Sequence, residues 1–444
     1  MLRSILFLAV LLAGYMPGQL LAQTVPGRPA KAPIKAPLAK PTPPKPAVAP
    51  AAAKAAPAAT MPADTARTTA QADTVQVLTP AQLAEQAYQK GLTSVQTKDF
   101  AAALASFTEA ITAKPDFAPP YGTRAATHFE LKEYDLALTD YAQALLLVPT
   151  DYTSYLGRAQ VYEAKGQLAE AEKDYSEALK GGSSYGPAWY RRGLLRFDRA
   201  EYQAARDDFE GAIKADRKNA AAYHERASAN QQLGNFTEAI LDYTTALALQ
   251  PTMLSALLNR AAAERHAGQL PQSLKDYDTY LKARPDDALA FNNRGRARFE
   301  AQDYPGAEAD FTQALTLDDK YAPAWNNRAA IYLKLETYAK AETDATQAIT
   351  LDPKYAEAYL NRGHAREMLR KPTEACQDWR KAAELGIGAG KSYATLAGCA
   401  AVVPPALAGA EAGTGSGTAQ AATKPENIPQ AVMLSLSKHL YRTV

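Results

Sequence analysis

The sequence has 444 residues, of which 49 are basic and 47 acidic, so its formal net charge is only +2. A nucleic-acid-binding protein normally carries a basic face, and this balance therefore argues against a nucleic-acid partner. Only two cysteines and five histidines are present, and both cysteines, Cys376 and Cys399, lie late in the chain.

Residues 1–22 are predicted to form a signal peptide. Arg3 precedes an apolar run over residues 5–13, and Ala22 is a small residue at the expected cleavage point. The run is short for a membrane span, although an uncleaved anchor is the alternative. No cysteine lies near the cleavage point, which excludes a bacterial lipoprotein anchor. We therefore expect an exported protein, periplasmic or secreted.

Residues 23–78 are rich in proline, alanine and lysine, and the first acidic residue after the signal is Asp64. Such a composition offers too little large apolar surface to offset the entropy of ordering, so a disordered linker is predicted. Two interpretations are open. In the first, the segment has a function, either as a spacer or as a basic strip in weak contact with an anionic envelope polymer or membrane. In the second, it is an inert solubilising tail.

From Thr79 the chain repeats with a period of 34 residues, without insertion or deletion to about Ala389. Each unit has two apolar stripes at helical spacing, which predicts a pair of amphipathic helices. The first helix carries a large apolar residue followed four residues later by alanine or glycine. These pairs are Tyr121/Ala125, Tyr155/Ala159, Trp189/Gly193, Tyr223/Ala227, Leu257/Ala261, Phe291/Gly295, Trp325/Ala329 and Tyr359/Gly363. The second helix carries a small residue followed by an aromatic one in most units, as in Ala307 and Phe311.

This pattern resembles the tetratricopeptide repeat, a helix-turn-helix family whose large, small and aromatic sites follow in this order. The resemblance implies an all-α, right-handed superhelical solenoid of about nine repeats, spanning residues 79–401. Its last element would be a C-terminal capping helix from Lys391 to about Ala401. In such an array the small sites let two helices approach closely, and an aromatic side chain fills the remaining gap.

Two ladders of opposite charge keep the same period. The arginines of the first helices are Arg124, Arg158, Arg192, Arg226, Arg260, Arg294, Arg328 and Arg362, and an aspartate follows each of them sixteen residues later, from Asp140 to Asp378. One arginine per aspartate at a fixed offset favours an ion pair inside each hairpin, because arginine suits partly buried pairs. A charged ligand groove is the alternative.

The end of the repeat array resembles the terminal unit of exported bacterial members of this family, in which the second cysteine ends the capping helix. In an oxidising compartment this resemblance implies a disulfide between Cys376 and Cys399. Two buried free thiols are the alternative. Residues 402–444 are mostly alanine, glycine, threonine and proline, and are predicted to be a low-complexity tail.

No catalytic motif is recognisable. The sequence has no Gly-rich phosphate loop, no HExxH motif, no Gly-x-Ser-x-Gly motif and no Cys–His pair at a meaningful spacing. The histidines are scattered over different units, so no metal site is expected. We predict a protein that is not an enzyme and that uses neither a cofactor nor a metal.

The resemblance implies that first-helix side chains line a concave groove in which a partner peptide or helix lies. An asparagine amide has one acceptor and two donors, so a row of asparagines can pair with a peptide backbone. The candidates are Asn259, Asn292, Asn293, Asn326, Asn327 and Asn361, with Arg296, Lys334 and His364 adding selectivity, and a second, more aromatic patch of Tyr190, Arg191 and His224. The alternative is that asparagine is merely frequent at this repeat position. The lysine, asparagine and arginine set with which some members clamp a carboxylate is not found.

We therefore predict a non-catalytic protein–protein interaction scaffold of the bacterial envelope that binds a partner peptide or helix in its concave groove. The alternative is an assembly factor or regulator of an envelope enzyme or of a secretion machine.

Overall fold

The computed structural model describes residues 78–182 and 185–399, and all regular structure within these ranges is helical. The α-helices are α1 (Pro80–Gln96), α2 (Phe100–Ala113), α3 (Ala118–Glu130), α4 (Tyr134–Leu147), α5 (Tyr152–Ala164), α6 (Leu168–Ala178), α7 (Gly186–Asp198), α8 (Tyr202–Ala215), α9 (Ala220–Gln232), α10 (Phe236–Leu249), α11 (Leu254–His266), α12 (Leu270–Ala283), α13 (Ala288–Glu300), α14 (Tyr304–Leu317), α15 (Ala322–Lys334), α16 (Tyr338–Leu351), α17 (Ala356–Met368), α18 (Pro372–Glu384) and α19 (Gly388–Leu396). A short 3₁₀ turn, Leu179–Gly181, follows α6. Odd-numbered helices up to α17 are called first helices below, and even-numbered ones second helices.

The helices fall into two compact units, one ending at Ala188 and the other beginning at Trp189. Within each unit consecutive helices pack together, and a first helix also packs against the first helix of the next pair. In the described part of the chain no two second helices make a comparable contact. The first helices of each unit therefore form a layer of their own, and its outer surface is called the first-helix face below. The predicted all-α repeat solenoid is confirmed.

Local chemistry sets the start of the first helix. The Thr79 hydroxyl accepts a hydrogen bond from the Gln82 backbone N–H at 3.3 Å, and Gln82 Oε1 accepts one from the Thr79 backbone N–H at 2.9 Å. This reciprocal capping box satisfies two backbone donors that the helix itself leaves without partners. Pro80 then occupies the first turn, where a missing N–H costs nothing.

The turn inside each hairpin contains one residue with left-handed backbone at the same repeat position. These nine residues are Lys98, Lys132, Gly166, Ala200, Gly234, Gly268, Gln302, Glu336 and Arg370, with φ between 56° and 80°. Glycine adopts this conformation without the steric cost that a Cβ imposes. Glycine occupies this position in three turns, and the six other turns adopt the same backbone with a side chain present.

The core of each hairpin is the contact between an aromatic side chain and a small residue. Phe311 of α14 is 1% exposed, and a Cβ added at Gly295 of α13 would lie 2.7 Å from its Cε1 atom. Phe209 stands in the same relation to Gly193. The absence of a Cβ is therefore what lets the ring reach the partner helix, as the repeat pattern predicts.

The capping helix begins at Gly388, three residues before the predicted Lys391, and ends at Leu396. Gly390 lies against the backbone carbonyl of Trp379 and the backbone nitrogen of Ala383. Because glycine has no Cβ, α19 can approach α18 this closely, and its first turn forms on that contact. Cys376 and Cys399 form a disulfide with Cα atoms 5.6 Å apart, so the predicted bridge is confirmed.

Three predictions fall on residues outside the described ranges. They are the signal peptide, nearly all of the linker, and the tail over residues 402–444. Among helices of the described ranges, none is both long and apolar enough to cross a membrane.

Candidate functional site

The arginine and aspartate ladders form ion pairs inside the hairpins. In all eight pairs the arginine Nε and Nη2 atoms donate to the two aspartate oxygens, at 2.6–3.2 Å. The hydrogen bond to Asp140 raises the pKa of Arg124, and Asp174 acts likewise on Arg158. Such fork-to-fork pairs are among the strongest charge-assisted hydrogen bonds. The ladder is thus structural, and the alternative of a charged ligand groove does not apply to it.

The same arginines also join neighbouring hairpins. In five units the remaining Nη1 atom donates to a side chain on the preceding second helix, at 2.7–3.5 Å. The acceptors are Thr108, Thr244, Asp278, Thr312 and Thr346. A single guanidinium therefore holds both its own hairpin and the one before it.

The predicted row of asparagines pairs largely with itself. Asn327 Nδ2 donates to Asn292 Oδ1 at 2.8 Å, and Asn361 Nδ2 donates to Asn326 Oδ1 at 2.9 Å. Asn326 Nδ2 donates in turn to the Tyr355 hydroxyl at 3.4 Å. These bonds cross from one first helix to the next. Four of the predicted asparagines therefore contribute to repeat stacking.

Asn259 follows the same pattern with a histidine as its partner. Its Nδ2 lies 3.4 Å from His224 Nε2 on the preceding first helix. The His224 ring meets the Tyr243 ring edge-on, with centroids 5.5 Å apart. The structure thus brings together two residues that the sequence analysis had assigned to separate patches.

Asn293 differs from the other predicted asparagines. It is 8% exposed, and no hydrogen bond joins its amide to any residue that the structure describes. Neither the oxygen nor the nitrogen of its side chain belongs to the fully buried polar atoms that lack a hydrogen-bond partner. The amide therefore keeps its hydrogen-bonding capacity at the first-helix face.

A basic cluster joins α11 to α13, the helix that carries Asn293. Arg265 of α11 donates through Nη1 to Glu300 of α13 and through Nη2 to His266 Nε2, the latter at 2.8 Å. The His266 ring stacks on Phe236 with centroids 4.9 Å apart. Burial, together with the charges of Arg265 and Arg296, lowers the pKa of His266 to about 3, so this imidazole is neutral at physiological pH.

Arg296 is the member of this cluster without a counter-ion. No hydrogen bond or ion pair links its guanidinium to a residue within 78–182 or 185–399. It is partly buried, and the positive charge of Arg265, followed by burial, lowers its pKa to about 10. Arg296 therefore remains charged at neutral pH, and the acidic group that acts on it, Glu300, is already hydrogen-bonded to Arg265.

Arg265 and Glu300 are not among the predicted site residues, although the sequence carries a signal for them. Four bonds between adjacent first helices join residues exactly one position further apart than the repeat period. They are His224–Asn259, Arg265–Glu300, Asn292–Asn327 and Asn326–Asn361, each with a separation of 35 residues. Complementary polar residues at this separation mark contacts between neighbouring repeats.

The remaining predicted residues lie in different surroundings. Lys334 is partly buried near the end of α15, and burial lowers its pKa. His364 is 7% exposed and meets the Tyr393 ring edge-on at 4.4 Å, beneath the capping helix. Burial lowers the pKa of His364 to about 4, so this imidazole is neutral at physiological pH.

In the second predicted patch, Tyr190 packs into the hairpin core. The Tyr190 ring lies 5.9 Å from the Phe209 ring and packs against the cluster around Ala212 and Ile213. Arg191, the next residue of α7, is partly buried. In this patch Tyr190 therefore serves mainly the core of its own hairpin.

Within the described residues, no group of three or more His, Cys, Asp or Glu side chains is placed to hold a metal ion. Among the predicted site residues within the described ranges, Asn293 and Arg296 have no hydrogen-bond or ion-pair partner. Their chemistry suits the binding of a polar or anionic partner.

Comparisons with solved structures find similar helical arrays. A tetratricopeptide repeat protein from Parabacteroides merdae is 21% identical over 55% of this chain and 98% of its own, with a TM-score of 0.47. YrrB, described as a TPR protein with an unusual peptide-binding site, is 24% identical over 41% of this chain and 95% of its own, with a TM-score of 0.40. Yeast Tom70 is 13% identical over 71% of this chain and 95% of its own, with a TM-score of 0.38. At these values the likenesses carry no functional argument.

Family models are more informative. A tetratricopeptide repeat model matches residues 123–187, 190–253, 224–288 and 258–322, and a second tetratricopeptide repeat model matches residues 87–117 and 322–355. A search of curated proteins found no match. Since the repeat matches cover more than half of its length, the chain belongs to the tetratricopeptide repeat family, whose fold generally serves as a scaffold for protein–protein interaction.

Proposed function

We propose that this protein is a non-catalytic scaffold of the bacterial envelope that binds a partner peptide or helix along its first-helix face. The observation that carries the proposal is the contrast among the asparagines. Asn259, Asn292, Asn326, Asn327 and Asn361 bond to neighbouring first helices, whereas Asn293 has no such partner. Arg296 lies one helical turn from Asn293 and is equally unpaired. Free polar groups on a rigid helix are suited to fixing the orientation of a bound chain.

The proposed location outside the cytoplasm has separate support. The sequence begins with an arginine-led apolar run that is typical of export signals. The disulfide between Cys376 and Cys399 is of a kind that persists in oxidising compartments and is rare in the cytosol. Both features agree with a periplasmic or secreted protein.

In-cell photocrosslinking tests the binding face. A photoreactive amino acid would replace Leu289, which is partly buried and lies one turn before Asn293 on α13. The control position is Leu241 on the second helix α10, which is 64% exposed. We expect a discrete crosslinked protein from position 289, weakened by Asn293→Ala, and none from position 241. Crosslinking from position 241 alone would place the partner on the second helices and overturn the proposal.

A further inference from the structure

Groups from four first helices, or from the residues just before them, interact electrostatically with Arg296. Arg265 comes from α11, Glu300 from α13 itself, and Tyr321 and Tyr355 precede α15 and α17. The charge of Arg296 acts on all four of these groups. The site is therefore built by consecutive repeats and is not an isolated surface residue.

The charges at this site do not balance. Arg265 is 6% exposed and is neutralised by its hydrogen bond to Glu300. His266 is neutral, and the tyrosine hydroxyls carry no charge at physiological pH. Arg265 and Arg296 thus share the single negative charge of Glu300, which leaves the site with one net positive charge among partly buried groups. Removing a cation from water without a counter-ion is unfavourable. The presence of an arginine at this position is therefore not explained by stabilisation of the fold.

We propose that Arg296 binds the carboxylate of an aspartate or glutamate side chain of the partner, with Asn293 donating to the same segment. This inference rests on the proposed function and adds the chemistry of the ligand. A single uncompensated positive charge matches a single carboxylate, and the planar guanidinium can donate two parallel hydrogen bonds to it. The Tyr355 hydroxyl accepts a bond from Asn326 and keeps its own proton to donate.

The first test measures the thermal stability of the full-length protein. Arg296→Met keeps the length of the side chain and removes the uncompensated charge, so we expect its Tm to rise by a few degrees. Arg298→Met, two residues further on, is the matched control, because Arg298 pairs with Asp310 at 2.9 Å. We expect its Tm to fall. If Arg296→Met lowers the Tm as Arg298→Met does, Arg296 is a structural residue and the inference is wrong.

The second test uses small probes at constant ionic strength. N-acetylglutamate α-methylamide carries one side-chain carboxylate, and N-acetylglutamine α-methylamide is its neutral counterpart. We expect only the glutamate probe to raise the Tm of the wild-type protein, and neither to raise that of Arg296→Met. A rise retained in Arg296→Met places the binding elsewhere and overturns the inference. A larger rise with inorganic phosphate, lost in Arg296→Met, identifies a phosphate site and overturns the carboxylate assignment.

These outcomes are separable from failure of the proposed function. Crosslinking from position 289 reports whether a partner lies on the first-helix face, whatever chemistry Arg296 recognises. If that crosslink persists while the glutamate probe has no effect, the scaffold function stands and only the carboxylate inference fails.

Discussion

At the scale of single residues, one buried carboxyl departs from the charge pattern of the repeats. In three units a second arginine of the first helix reaches the ladder aspartate, as Arg298 does with Asp310 at 2.9 Å; the other two pairs are Arg196–Asp208 and Arg366–Asp378. Glu264 occupies this repeat position beside Asp276. Its Oε1 atom lies 3.8 Å from Arg260 Nε, and its buried Oε2 atom has no hydrogen-bond partner in the described residues.

Glu264 therefore makes stability depend on pH. Burial, followed by the charge of Asp276, raises the pKa of Glu264 to about 7, against about 4.3 for an unfolded glutamate. Between these values the folded protein holds a proton that the unfolded chain has released, so stability falls as the pH rises from about 4 to about 7. The full effect is up to about 4 kcal/mol.

Glu264→Gln removes this titration. We expect calorimetry to give similar Tm values for the variant and the wild type at pH 4.5, and a higher Tm for the variant at pH 8. Comparing the two proteins at each pH cancels the contributions of all other titrating groups. A Tm difference that stays constant over this range would show that Glu264 is not the responsible group.

Residue-scale features were predictable where they repeat inside one hairpin. The offset of sixteen residues between Arg294 and Asp310 recurs in eight of the nine units, so an ion pair followed from the sequence. Bonds between units were not predictable in this way, because they combine different residue types. Arg265–Glu300 and Asn292–Asn327 share only their separation of 35 residues. Whether Asn293 would remain unpaired depended on the side chains of two neighbouring helices.

At the scale of elements, the hairpin turn carries a conformational cost that the sequence only partly relieves. All nine turns place one residue in left-handed backbone, and glycine occupies three of them. Elsewhere a side chain is present, as at Ala200 with φ of 61°. The turn geometry is thus set by the packing of the helix pair, while the choice of residue changes only the stability.

Ala200→Gly should stabilise the protein, because glycine relieves the steric cost of the left-handed conformation. The gain should be about 0.5–1 kcal/mol, since the added freedom of the unfolded chain offsets part of it. Gly234→Ala, at the same position of the next unit, should be destabilising by a similar amount. A Cβ there meets no atom within 4 Å, so the substitution changes the conformational energy of the backbone and no packing contact. Thermal unfolding of both variants measures the effect. Shifts of the same sign would contradict it.

The second element-scale prediction concerns the closest approach of two helices. Gly295→Ala places a Cβ 2.7 Å from Phe311 Cε1, which forces the ring or the helix to move. We expect a loss of about 1–3 kcal/mol, as for other overpacked cores. Gly388→Ala is the control, because a Cβ there meets nothing within 4 Å. Equal Tm values for the two variants would show that this contact does not limit the packing.

At the scale of the whole molecule, the repeat organisation was predictable because every unit encodes the same local pattern. The end of the array was less predictable from the sequence. Its last helix begins at Gly388 and not at Lys391, because the packing of Gly390 against α18 has no counterpart earlier in the sequence. The disulfide between Cys376 and Cys399 followed from the family resemblance and not from the spacing of the two residues.

This disulfide should act locally, because a repeat array transmits stability mainly between neighbouring units. The bridge joins α18 to the residue just after Gly398, with a sequence separation of 23 between the two cysteines, and closing such a loop contributes about 3 kcal/mol. Replacing both cysteines by alanine should therefore accelerate amide hydrogen exchange in α17–α19. Exchange in α8–α10 should not change.

Hydrogen exchange followed by mass spectrometry resolves these segments. The control for the double variant Cys376→Ala/Cys399→Ala is reduced wild-type protein, which lacks the bridge but keeps both sulfur atoms. The two samples should show the same local acceleration if the covalent link, and not the side-chain volume, is responsible. Uniform acceleration through α8–α19 would instead mean that these helices unfold as one cooperative unit, with the cap controlling the stability of all of them.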